Sequence, residues 1–210
     1  MESKRICFID FETTGLDRNR DWPLQLGAVL VEYPGGKLID RFGSEIKPPR
    51  GSKNTAQAFE IHGLDLGRLM SQAPDPGVVV AKFFDQMGTD YAFGGWNINF
   101  DLAFMHRLCA MSPTMQGRIS LQKVDYRHLD VQSVAQAAYF TGNVDRLCGM
   151  HELAHSMGLL DKLPTKHNAL HDVVTTYEIY KELLIRMAVP NAKEAAPVQD
   201  ALDTVGSQVP

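Results

Sequence analysis

The alternation of apolar and polar positions divides the chain into short elements. Arg5–Phe11 (RICFIDF) is an apolar run broken at Thr13-Thr14-Gly15, which predicts a strand ending in a turn. Leu24 to Glu32 and Lys37 to Ile46 flank Tyr33-Pro34-Gly35-Gly36 and read as a hairpin. Helical stretches follow near 54–61 and 76–88, then a strand near 91–96. Phe100, Leu102, Ala103, Phe104 and Leu108 recur with helical spacing. After a loop come a short strand near 124–129, helices near 131–140 and 146–157, and a long helix from about 169 to 187. Three antiparallel strands followed by alternating helices and strands predict an α/β fold: a mixed sheet flanked by helices on both faces. There is no internal repeat. Beyond Pro190, Ala, Pro, Asp and Gln dominate and the periodicity fades. One domain over 1–189 and a disordered tail over 190–210 are expected.

Composition narrows the setting. A hydrophobic content of 44% suffices for a buried core. No window approaches the roughly 18 uninterrupted apolar residues of a membrane span. The start MESKRICF enters a strand directly and lacks a signal-peptide pattern. The three cysteines, Cys7, Cys109 and Cys148, form no CxxC and no disulfide framework, so a reduced, cytoplasmic location is expected. With a formal charge of −4 and no large basic patch in the sequence, tight non-specific duplex binding is not expected. Local basic segments remain at Lys47–Lys53, Arg127-His128 and Lys162–Lys166, each of which also reads as solvated loop charge.

Candidate chemistry lies in three segments. In FIDFETTGLD, Asp10 and Glu12 sit at i and i+2 of the first strand and project from the same face, where a cation can bridge them. Without one, their like charges would be destabilising; a solvent-facing acidic strand edge is the alternative. In NINFDLAF, Asp101 falls in a first helical turn, which also suits capping and the helix dipole. In HNALHD, His167 precedes Asp172 at the start of the long helix. This pair also fits a loop histidine followed by an ordinary helix-start aspartate. His171, between them, reads as a solvent-facing neighbour or a substitute base. Four carboxylates and a histidine are what a site needs to hold two hard divalent cations and deprotonate a water. Two such cations would cancel the formal charge, leaving substrate phosphates to meet metal rather than a basic face.

The three segments, in this order and spacing, resemble the motifs of the DnaQ-like, DEDDh-type 3′→5′ exonucleases over roughly residues 5 to 186. Ala58–Leu64 (AFEIHGL) is similar to a further segment bordering that family's active site, and Leu129-Asp130-Val131 to an Asp-containing strand end. One departure is Trp96, where the family often has His. The resemblance implies a ribonuclease H-like fold. It implies Asp10, Glu12, Asp101 and Asp172 as ligands of two Mg²⁺ or Mn²⁺ ions, and His167 as the base. It places Thr13, Thr14, Gly15 and Leu16 beside the metals, with Leu16 wedged against the terminal base, and His62, Asn97 and Phe100 lining the cleft. Plain core packing is the alternative for Leu16 and Phe100. Lys166, next to His167, is the best phosphate contact. The substrates implied are single-stranded DNA 3′ ends, as in proofreading or repair, or RNA ends, as in ribonuclease T-like and oligoribonuclease-like members. A polymerase is a possible associate. Gln199-Asp200-Ala201-Leu202 faintly resembles a segment that binds a sliding clamp, so a non-catalytic interaction module is a third class. No membrane partner is implied.

A rival signal is His151-Glu152-Leu153-Ala154-His155, an HExxH match that Gly158 and Asp161 extend towards a zinc metalloprotease helix. Leu147, Met150, Leu153, Ala154 and Met157 already give this helix an apolar face. His151 and His155 are therefore expected on its half-exposed flank.

Overall fold

The structure, a computed structural model, describes residues 4–33, 35–113 and 116–188. The tail expected at 190–210, with the segment Gln199–Leu202, lies outside these residues. Five strands form one sheet. β1 (Lys4–Thr13), β2 (Pro23–Tyr33) and β3 (Lys37–Glu45) pair antiparallel, and β4 (Ala92–Gly95) and β5 (Asp125–Asp130) add in parallel, in the order β3-β2-β1-β4-β5. β1 is thus the central strand. It is buried on both faces, which explains why its sequence is a nearly continuous apolar run.

Each face of β1 feeds its own core. Cys7, Ile9 and Phe11 pack with α3 (Pro76–Met87) and α4 (Ile98–Met111). Phe8, on the other face, packs with α6 (Val131–Phe140), α7 (Met150–Ser156) and α8 (Ala169–Ala188). Asp10 and Glu12 continue the Phe8 side, so the period of two aims both carboxylates toward α8. β4 pairs with β1 only over Ile6–Phe8. Beyond it, the N–H of Phe11 is free to leave the sheet ladder.

Among the described residues the helices also include α1 (Ala56–His62), α2 (Leu66–Gln72) and α5 (Gln116–Lys123). The periodicity anticipated neither α2 nor α5. α2 has seven residues, too few for a clear period, and depends on its Asp65 cap, whose side chain accepts from the N–H of Arg68. α5 buries Gly117 and Ser120 rather than large apolar side chains. A Cβ on Gly117 would lie 2.3 Å from Val80 Cγ1, so that helix docks through its smallest residue. α7 starts at Met150 rather than near 146, because Gly149 is its N-cap.

Two local features position the acidic end of the sheet. α8 crosses β2 at Gly27, where a Cβ would lie 2.2 Å from the carbonyl oxygen of Ala169. Only glycine admits the helix start at that depth. Asn168 caps α8, its Oδ1 accepting from the N–H groups of Leu170 and His171, while Gln25 Oε1 accepts from the N–H of Ala169. At the start of α4, Asn97 is left-handed (φ 55°), and Asp130 Oδ1 accepts its backbone N–H at 2.9 Å. No described helix is long and apolar enough to cross a membrane.

Candidate active site

β1 ends between the first turns of α4 and α8. Asp101 is buried there, and its Oδ1 accepts the N–H of Phe11 at 3.0 Å. The side chain therefore links its own helix terminus to β1. Asp172 sits in the first turn of α8, 4% exposed. One oxygen each from Asp10, Glu12 and Asp172 lies within 4.8 Å of the other two. Glu12 Oε1 is buried and has no hydrogen-bond partner. Asp10, Glu12 and Asp172 share a cavity of about 470 Å³ with Phe11, Trp96, Gly149, Met150, His151, Glu152 and His167, whereas Asp101 lies outside both this lining and the group of close oxygens.

The electrostatics follow from this crowding. Burial, then the charges of Asp101, Asp172 and Glu12, push the Asp10 carboxyl well above the usual range. Burial and Asp172 push Glu12 up to about 7, against the attraction of His167. Burial also raises Asp101, despite the hydrogen bond from Phe11. Asp172 goes the other way. Burial alone would raise it, but hydrogen bonds from His151 and His167 hold it below the usual value. His167 is raised in turn by its bond to Asp172. Three crowded carboxyls, all shifted upward and one with an orphaned oxygen, are an arrangement that a bound cation would relieve.

Two histidines flank Asp172. His167 Nδ1 is 3.1 Å from Oδ2, and His151 Nε2 is 2.9 Å from Oδ1. The placement of His151 corrects the flank expected for it. Its side chain is 12% exposed and faces the first turn of α8. His155 and Asp161 are exposed and belong to neither of the two metal-capable side-chain groups among the described residues. The zinc metalloprotease reading therefore fails on geometry, because the second histidine of the motif points to solvent. His171 is exposed, as its spacing implied.

None of the remaining candidates lines that cavity. Thr13, Thr14 and Gly15 are buried at the end of β1. The loop they open is closed by Thr14 N–H to Trp22 O, Thr14 Oγ1 to Asp21, and Arg107 stacked 3.7 Å from the Trp22 ring. Leu16 stands on this loop 70% exposed, so it is not a core residue. His62 is buried. Its Nδ1 accepts from the N–H of Leu64, which leaves Nε2–H to donate to Thr13 O at 3.1 Å. It braces the end of β1 as a neutral ring, and burial lowers its pKa. His167 is tied to the same region through its N–H to Ile61 O. Asn97 is exposed, and Phe100 is half-buried with its ring 4.9 Å from that of Phe104. Lys166 is exposed and donates to the carbonyl of Glu60. Sequence reasoning did not select Trp96 or Met150, which line the cavity.

A mixed sheet in this order, with carboxylates gathered at one end of its central strand, defines a ribonuclease H-like fold. The family model RNase_T, described as Exonuclease, matches residues 7–180. The chain belongs to this DnaQ-like exonuclease family of nucleic-acid hydrolases. It is 25% identical over 208 residues to the PolC-type DNA polymerase III of Bacillus subtilis, with 97% of this chain and 13% of that one covered. For the enzyme of the same name from Thermotoga maritima the identity is 23% over 208 residues, with 93% and 13% covered. The chain thus spans about an eighth of these relatives. Escherichia coli Exonuclease I in complex with a dT13 oligonucleotide superposes with a TM-score of 0.73 at 18% identity, over 88% of this chain and 42% of that one. This likeness bears on the fold.

Proposed function

We propose that the protein is a metal-dependent exonuclease that removes 5′-mononucleotides from the 3′ ends of single-stranded DNA. The observation that carries this reading is the triad of oxygens from Asp10, Glu12 and Asp172, all within 4.8 Å, with Glu12 Oε1 buried and unpartnered. All-oxygen donors of this kind suit Mg²⁺ or Mn²⁺. Asp101, whose charge acts on Asp10, completes the set. Divalent ions, which Asp10, Glu12, Asp101 and Asp172 would hold, would supply charge neutralisation and polarisation of the scissile phosphate.

The chain's own residues divide the remaining work. Asp172 holds the His167 ring through Nδ1, leaving Nε2 to take a proton from the attacking water. Thr13, Thr14, Gly15 and Leu16 receive the terminal nucleotide, the exposed Leu16 against its base. Asn97, Phe100 and His62 border the cleft, and Lys166 meets a phosphate. Stacking of this kind tolerates any base, so little sequence preference is expected. DNA is favoured because the relatives are DNA polymerases and the superposed exonuclease holds a dT13 oligonucleotide. The likeness to PolC-type DNA polymerase III also supports a DNA polymerase as an associate. The deciding experiment compares a DNA strand with the same strand ending in one ribonucleotide. Faster release of the deoxynucleotide supports the DNA assignment; a preference for the terminal 2′-hydroxyl assigns the protein to RNA.

A further inference from the structure

We infer that His151, His167 and Asp172 form a second, nitrogen-rich metal site that takes Zn²⁺-class ions and shuts the enzyme down by engaging His167. One ligand atom from each lies within 4.8 Å of the others. His151 Nε2 and His167 Nδ1 stand 2.9 and 3.1 Å from the two oxygens of Asp172. Donor atoms around a tetrahedral ion with bonds of about 2.0–2.1 Å are about 3.3 Å apart, so small side-chain movements suffice. The two rings meet edge to face, 4.4 Å between centroids. Both histidines line the cavity, so an ion reaches them from solvent.

The site is built rather than incidental. Leu153 and Ala154 anchor α7 in the core, and Thr176 Oγ1 donates to Met150 Sδ, tying the start of α7 to α8. His151 is thereby presented to Asp172. The donor chemistry separates the two sites. Asp10, Glu12 and Asp172 offer oxygen only, whereas two imidazoles and one carboxylate favour Zn²⁺ over Mg²⁺ by ligand type. On binding, the ion replaces the ring protons that now join the three side chains, and these pass to solvent or to the other ring nitrogen. Asp172 belongs to both groups, and His167 loses its freedom to act as a base. Inhibition therefore rests on the function proposed above, whereas the site itself does not.

The test is Zn²⁺ titration of the full chain against a chromophoric chelator, with Zn K-edge absorption spectra to count imidazole ligands. The wild type should show two imidazoles. His151→Ala should weaken Zn²⁺ binding at least roughly tenfold, as should His167→Ala, an independent probe should the first variant misfold. Asp10→Asn/Glu12→Gln should lose Mn²⁺ binding, read by electron paramagnetic resonance, and keep its Zn²⁺. Loss of Zn²⁺ in that double variant with retention in His151→Ala would place the ion on the carboxylates and overturn the site, as would a spectrum without imidazole. If His167→Ala instead kept full nuclease activity, the base assignment would fail while the zinc readout stood on its own.

Discussion

At the residue scale, the site is held together against its own charge. The Glu12 carboxyl is raised from 4.5 to about 7, mainly by burial and then by Asp172. A raised acid binds more protons folded than unfolded. Its contribution to stability is therefore complete below about pH 4.5 and is lost as pH rises through about 7. Metal-free protein should accordingly melt at progressively lower temperature from about pH 4.5 to 7, and Mn²⁺ should raise Tm more at pH 7.5 than at pH 5. Thermal melts with and without EDTA check this; a flat or rising metal-free Tm over the window contradicts it. Asp101→Ala should abolish turnover, and His167→Ala should slow it about 10²–10⁴-fold while Mn²⁺ affinity at the oxygen set persists. Near-normal turnover in Asp101→Ala would remove that residue from the site. Asp10 and Glu12 were legible in the sequence because a strand's period of two fixes their common side without tertiary knowledge. His151 is not legible in the same way: its helix has an apolar face without it, which points the ring to the flank, while the structure sets it against Asp172. The HExxH spacing did single it out, but its partners are His167 and Asp172, which only the docking of α7 on α8 brings near.

At the scale of elements, the start of α8 is the most exacting joint. Gly27→Ala would set a Cβ 2.2 Å from Ala169 O, a backbone atom that cannot turn aside. The expected cost is at or above the upper end of the ~1–3 kcal/mol seen for overpacking. Turnover should fall as well, because Asp172 and His167 move with the helix. Chemical denaturation and a rate assay test both; a wild-type-like Gly27→Ala would mean that α8 does not approach β2 this closely. Asn168→Ala removes the cap and should cost about 0.5–2 kcal/mol with a smaller effect on turnover. The strand positions, the β2–β3 hairpin and most helices can be read from periodicity and turn residues, whereas the strand order comes only from the sheet itself. α2 and α5 cannot be read in this way. The first is brief and cap-dependent, and the second docks through Gly117, which a search for large apolar side chains passes over.

At the scale of the molecule, one end of the sheet collects what its elements carry. β1 contributes Asp10 and Glu12, α4 Asp101, α8 Asp172, α7 His151, and the α7–α8 connection His167. The net charge of −4 fits a protein whose contact with nucleic acid runs through bound cations and a few local groups. Activity should therefore depend more on divalent metal than on ionic strength, unlike binding through a broad basic face. The most direct test of the central claim is incubation of the purified protein with 5′-labelled and 3′-labelled single-stranded DNA, with Mg²⁺ and with EDTA. The account predicts immediate release of labelled mononucleotide from the 3′ label, a ladder shortening from the 3′ end with the 5′ label, and neither in EDTA. Cleavage that persists in EDTA, or that starts at the 5′ end or within the strand, would contradict it.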